Sequence, residues 1–329
     1  MPYSDNTVEI EELFNSIRSG DASSLARGIT LIESTSAPHQ HMAGELLQKC
    51  LPFTGESTRI GITGSPGVGK STFINAFGEF LIEQENKKVA VLAIDPSSSI
   101  SGGSILGDKT RMQDLAASKN AFIRPSPSGG DLGGVAAHTR ESILLCEAAG
   151  YDLVLVETVG VGQSETAVHQ MVDFFLLLIL PGAGDDLQGI KRGIVEMADA
   201  IVVNKADGDN VNKAKQAKGF YQQALGLSHG QRKVEVEVIS STEKKGLDHV
   251  WDLISNYRIE ETQNGGWKNK RADQNVNWFQ NHLEQVGRRQ VLNHPDLKKL
   301  RGEVIDEIKA GRRHPLNAAE EIITKLFSR

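Results

Sequence analysis

Residues 64–72 read Gly64-Ser65-Pro66-Gly67-Val68-Gly69-Lys70-Ser71-Thr72. The first eight of these fit G-x-x-x-x-G-K-[ST], and the flanks are the ones this motif requires. A β run, RIGIT (59–63), precedes it, and a helical run, STFINAFGEFLIEQ (71–84), carries on from it. Glycines let backbone N–H groups turn inward around phosphate oxygens, and the positive end of the helix adds to the attraction. Lys70 is expected at the β and γ phosphates of a nucleotide, and the Ser71 hydroxyl on Mg²⁺.

A second motif, Asn204-Lys205-Ala206-Asp207, follows the apolar run AIVV. A carboxylate there can accept hydrogen bonds from N1–H and the exocyclic amine of guanine. Adenine offers no such donor pair, and its binding would leave a buried carboxylate unpaired. Asn204 is expected to brace the loop, and the Lys205 stem to lie along the base. The preference is therefore for GTP and GDP over ATP.

Two further stretches supply carboxylates. Glu157-Thr158-Val159-Gly160 follows LVLV. Small GTPases have D-x-x-G here, so Glu157 is one methylene longer, and its contact with Mg²⁺ is either direct or through water. The Gly160 N–H is expected at the γ phosphate. After the run KVAVLAID, the polar, glycine-rich stretch from Asp95 to Asp108 has the composition of a switch loop. Asp95 is expected to hold Mg²⁺ or its water, and Asp108 the same ion or the attacking water. Val161 stands where many small GTPases place a water-orienting glutamine. Slow intrinsic hydrolysis is expected unless Asp95, Asp108 or a partner helps.

Working outward, short apolar runs at 59–63, 88–95, 153–157, 174–180, 200–205 and 234–240 alternate with amphipathic segments. That pattern predicts an α/β fold, a P-loop NTPase with a mainly parallel sheet covered by helices on both faces. The run FFLLLIL (174–180) is too short to span a bilayer as a helix, and its length suits a buried strand. Residues 1–57 read as a helical extension. Ser4, Asp5, Asp21 and Pro38 stand at helix starts, and Leu25, Ile29 and Ile32 share one face. The polar stretch 262–275, TQNGGWKNKRADQN, reads as a hinge between the domain at 58–261 and a helical arm at 262–329. In that arm Val276, Phe279, Leu283 and Val286 recur at heptad-like intervals, and Pro295 and Pro315 stand where new helices could begin.

Composition excludes several classes. The net charge of −6 gives no basic footprint for nucleic acid. Two cysteines, Cys50 and Cys146, are too few and too far apart for a disulfide framework or a zinc cage. The acidic N-terminus has no secretory pattern. A cytoplasmic protein bound neither to membrane nor to nucleic acid is expected.

The stretches GITGSPGVGKST, AIDPSSSISGGSILGDKTRM, VETVGVGQSE, GAGDDLQGIKRGIVEMAD and NKADGD resemble the MeaB/ArgK family, over most of the chain. These are G-protein chaperones of adenosylcobalamin-dependent methylmalonyl-CoA mutase and related acyl-CoA mutases. The resemblance implies a GTPase that gates cofactor delivery from a cobalamin adenosyltransferase and protects the mutase. It also implies a homodimer formed through the C-terminal arm. Lys70, Asp95, Asp108 and Glu157 match the polar residues around phosphate and Mg²⁺. Residues 182–199 match an additional switch facing the mutase, with Asp185, Asp186, Gln188, Lys191 and Arg192 as contact candidates. Ser240-Ser241-Thr242 matches, more weakly, the loop that closes over guanine. Older naming ties some members to basic-amino-acid transport, but the NKAD motif argues against ATP.

The alternative is a metal-insertion GTPase of the hydrogenase or urease type. Such proteins commonly need Cys/His clusters. His39-Gln40-His41 has no cysteine pair near it, and His138 and His169 read as structural. A small-molecule kinase would leave NKAD without a purpose. A binding module without hydrolysis would leave Glu157 and Asp108 without one.

Overall fold

The computed structural model describes residues 3–95, 112–127, 134–158, 163–182, 192–226 and 234–327. They form two compact units, Met1–Lys270 and Arg271–Arg329.

The first unit is built on a seven-stranded sheet in the order β3-β2-β4-β1-β5-β6-β7, and every pairing is parallel. The strands are β1 (Thr58–Gly64), β2 (Val89–Asp95), β3 (Ala121–Pro127), β4 (Leu153–Glu157), β5 (Phe174–Ile179), β6 (Ala200–Val203) and β7 (Glu235–Val238). β5 is buried along its whole length, as its unbroken apolar run requires. One strand is absent from the six runs read from the sequence. β3, AFIRPSP, carries Arg124, Pro125 and Pro127, which break the apolar pattern. An edge position tolerates the missing proline donors, and among the described residues β3 pairs only with β2.

Both faces of the sheet are covered. One carries α4 (Lys70–Glu83), α5 (Gln113–Ala117) and α10 (Leu247–Gln263), which bury Phe73, Phe77, Leu115 and Ile254 against β1 and its neighbours. The other carries α6 (Gly134–Ala148), α7 (Gln163–His169), α8 (Arg192–Met197) and α9 (Val211–Gly226). Three N-terminal helices, α1 (Tyr3–Arg18), α2 (Ala22–Glu33) and α3 (Ala37–Cys50), pack onto this second face through Ile17, Leu25, Ile29 and Leu46. Asp21 caps α2 by accepting from the Ser24 N–H at 2.7 Å, and Ser36 caps α3. Ser4 and Asp5, expected as caps, lie inside α1, which begins at Tyr3.

The expected hinge at 262–275 is a two-residue break. α10 ends at Gln263, Gly265 takes a left-handed φ of 79°, and α11 (Gly266–Leu292) starts at once. A C-terminal glycine satisfies the last carbonyls of one helix without preventing the next, so the polar composition beyond it is that of a solvated helix face. In the second unit α12 (Leu297–Lys309) packs with α13 (Pro315–Phe327). Arg313 joins them through Glu307 and Glu321. Val276, Phe279 and Leu283 of α11 are exposed.

Candidate nucleotide site

All strands are parallel, so their C-terminal ends gather on one edge, where an open α/β sheet binds its ligand. β1 ends there in the glycine-rich loop. Gly64 has a φ of 151°, and a Cβ at this position would collide with the Leu178 carbonyl. Gly69, at the N-cap of α4 with φ 95°, would place a Cβ 2.9 Å from Asn204 Nδ2. Side chains are excluded at both positions, one by the sheet and one by the second loop.

Lys70 Nζ donates to the Gly64 carbonyl at 2.8 Å. Burial lowers its pKa, and Glu157 and Glu165 oppose that shift. Ser71 Oγ donates to Glu157 Oε1 at 3.1 Å. The phosphate-loop hydroxyl and the carboxylate ending β4 are thus neighbours, although 86 residues separate them in sequence. The adjacent Thr158 donates to Thr63 Oγ1 at 2.9 Å, tying β4 to β1 just below the loop.

The second loop begins where β6 ends. Asn204 is buried and faces two ways. Its Nδ2 donates to the Val68 carbonyl at 3.0 Å, and its Oδ1 accepts from the Ser241 N–H at 3.2 Å and the Ser241 hydroxyl at 2.8 Å. Lys205 follows with a left-handed φ of 57°. Asp207 Oδ2 accepts from Ser240 Oγ at 2.8 Å and Thr242 Oγ1 at 2.9 Å. These hydroxyls hold the Asp207 carboxyl below the usual carboxylate range. The weakest of the sequence matches, Ser240-Ser241-Thr242, therefore lies in direct contact with the Asn-Lys-Ala-Asp loop.

Asp95 stands at the C-terminal edge of the sheet, where it is the last residue of β2, and its backbone pairs with Pro127. Asp108, Gly160, Asp185, Asp186, Gln188 and Lys191 lie outside the described residues. Arg192 is the first residue of α8. Glu165 was not singled out in the sequence, where it is one more acidic residue after the ETVG motif. It is fully buried in the first turn of α7, and its charge is felt at Lys70.

A parallel sheet with a phosphate loop after β1, an acidic strand end on β4 and an Asn-Lys-x-Asp loop after β6 defines a P-loop GTPase. The model of one family, described as methylmalonyl Co-A mutase-associated GTPase MeaB, matches residues 25–295. GTPase ArgK of Escherichia coli (strain K12) is 48% identical over 292 residues, covering 88% of this chain and 87% of its own. A mouse protein named methylmalonic aciduria type A homolog, mitochondrial, is 41% identical over 333 residues, covering 97% of this chain and 80% of its own. A solved structure described as LAO/AO transport system kinase superposes with a TM-score of 0.76 at 37% identity, covering 97% of this chain and 98% of its own. The chain belongs to the MeaB family, and it is a GTPase. No helix among the described residues is long and apolar enough to cross a membrane.

Proposed function

We propose that the protein is a GTP-hydrolysing chaperone that assembles, protects and gates cofactor loading of an adenosylcobalamin-dependent acyl-CoA mutase, methylmalonyl-CoA mutase or a relative. The observation that carries the nucleotide half is the double contact of Asn204, which joins the phosphate loop at Val68 to the guanine-side turn at Ser241. One side chain thereby sets the spacing between the groups that would hold phosphate and base. The family description and the name of the mouse relative support the mutase half.

In this reading Gly64 to Thr72 wrap the phosphates, every residue but Pro66 carrying a backbone N–H, and Gly160 N–H meets the γ phosphate. Asn204, Lys205, Asp207 and the turn Ser240 to Thr242 hold guanine. Asp207 keeps one carboxylate oxygen on the two hydroxyls and turns the other to the base. Lys70 exchanges the Gly64 carbonyl for phosphate oxygens and counters the charge that spreads over them in the transition state.

Mg²⁺ fits the donors present. The Ser71 hydroxyl and Glu157 carboxylate are hard oxygen ligands 3.1 Å apart, of the type this cation takes with substrate phosphates. Asp95 and Asp108 are the remaining candidates, for the ion or its water. When bound, the ion neutralises phosphate charge.

The proposed organisation is a helical extension (1–57), a GTPase domain (58–261) and a dimerisation arm (262–329). A homodimer works in the cytoplasm with the mutase and a cobalamin adenosyltransferase. Residues 182–199 relay the nucleotide state to the mutase. The test is an affinity capture from cell extract in GTP and then in GDP. Recovery of a cobalamin-dependent mutase in a nucleotide-dependent amount supports the reading, and its absence from both eluates refutes it.

A further inference from the structure

The turn at 240–245 is a small closed unit. Ser240 N–H donates to the Lys245 carbonyl at 3.1 Å, and Lys245 N–H returns to the Ser240 carbonyl at 3.0 Å. The Glu243 N–H donates to Ser240 Oγ at 3.1 Å. One side of the unit carries the hydroxyls that hold Asp207. Another carries Lys244, whose left-handed φ of 52° helps close the turn. Lys244 Nζ stands 3.0 Å from Glu79 Oε2. Glu79 belongs to α4, the helix that opens with Lys70 and Ser71.

The two partners differ in setting. The Lys244 side chain is 56% exposed, that of Glu79 only 14%. An ion pair between two solvated groups contributes little. Here the carboxylate is largely out of water, and Glu83 and Asp114 add negative charge around the ammonium. Removing the lysine leaves that acidic patch without its counter-charge, which is more costly than losing a surface pair. The turn would then lose its one polar side-chain tie to α4 among the described residues, while Asn204 and the apolar cluster of Ile239 and Leu247 with Phe73 and Phe77 remain.

We propose that the Lys244–Glu79 pair positions the base-binding turn against the phosphate-binding helix, and so sets guanine recognition without touching the nucleotide. Lys244 and Glu79 are positioning residues. The proposal rests on the reading of Asp207 as the acceptor for guanine.

The experiment is a calorimetric titration of GDP and inosine diphosphate, which lacks the exocyclic amine, into the full chain and its Lys244→Met, Glu79→Gln and Lys244→Arg variants. Lys244→Met is expected to weaken GDP binding by about five- to tenfold and inosine diphosphate binding by less, so that the preference narrows. KM for GTP should rise in step while kcat moves little. Lys244→Arg keeps the charge and should recover most of the affinity. If Glu79→Gln does not fold, the Lys244 pair of variants carries the test alone. A Lys244→Met protein with parental GDP affinity overturns the proposal. So does an equal loss for both nucleotides, which would make the pair a support of the fold only. Asp207→Ala is titrated alongside. If it keeps the parental ratio of the two affinities, the guanine reading itself falls. If that ratio collapses while Lys244→Met keeps it, only the positioning role falls.

Discussion

Replacing Asn204 by alanine removes the side chain that joins the two nucleotide loops. Three groups lose their partner at once: the Val68 carbonyl, the Ser241 N–H and the Ser241 hydroxyl. Val68 and Ser241 are both buried, so bulk water does not simply take the vacated place. At about 1 kcal/mol for each stranded group, the loss is about 3 kcal/mol, and it falls on the nucleotide-free protein because all three bonds are internal. For a domain of roughly 200 residues that corresponds to a fall in Tm of about 6–12 °C. Far-UV circular dichroism of the nucleotide-free protein reads it directly. Asn204→Asp sharpens the test. It keeps the shape and the acceptor for Ser241 but turns a buried carboxylate toward the Val68 carbonyl, so it should be at least as damaging as alanine. GDP affinity should fall in both variants, since the base and phosphate loops are no longer held at one spacing. A Tm within about 1 °C of the parent for Asn204→Ala would refute the reasoning, because no buried group would then have been stranded.

Other outcomes follow from the same site. Asp207→Ala should weaken GDP binding by about 1–3 kcal/mol, and calorimetry should find the parent largely indifferent to ATP. Lys70→Ala should abolish GTP turnover in a phosphate-release assay, while Glu157→Ala should slow hydrolysis more than it weakens GDP binding. The thiols should be inert. Cys50 is buried and its thiol is pushed up to about 11, and Cys146 is raised further in the same direction, so little thiolate is present at pH 8. Mass spectrometry after iodoacetamide should find both unmodified in the folded protein and both alkylated in urea.

Most of the fold was legible because its signals are local. The phosphate loop sits between a β run and a helix, and FFLLLIL is apolar without interruption, so neither needs tertiary context to be read. β3 was hidden because an edge strand can carry Arg124, Pro125 and Pro127, and apolar periodicity does not register such a segment. The segment 262–275 holds the division between the two compact units, but most of it is helix: polar, glycine-containing sequence is shared by loops and by solvated helices, and only Asn264 and Gly265 interrupt the helical run there. At the site, the residue types were readable but their contacts were not. The bond from Asn204 to Val68 spans 136 residues, and that from Ser71 to Glu157 spans 86. Lys244 and Glu79 each look like ordinary surface charges, and only the folded turn brings them together. Glu165 is hidden in the same way, since only its burial, shared with Glu147, Glu157 and Asp173, separates it from the solvated acids.

The central claim is that a nucleotide cycle in this chain serves a mutase. Its most direct test is the GTP hydrolysis rate of the purified protein, alone and with a purified adenosylcobalamin-dependent acyl-CoA mutase, read by phosphate release at saturating GTP. The account predicts slow basal turnover, since Val161 replaces the water-orienting glutamine, and a marked acceleration on adding the mutase. An unchanged rate across a mutase titration, with no complex on size-exclusion chromatography in either GTP or GDP, would contradict it.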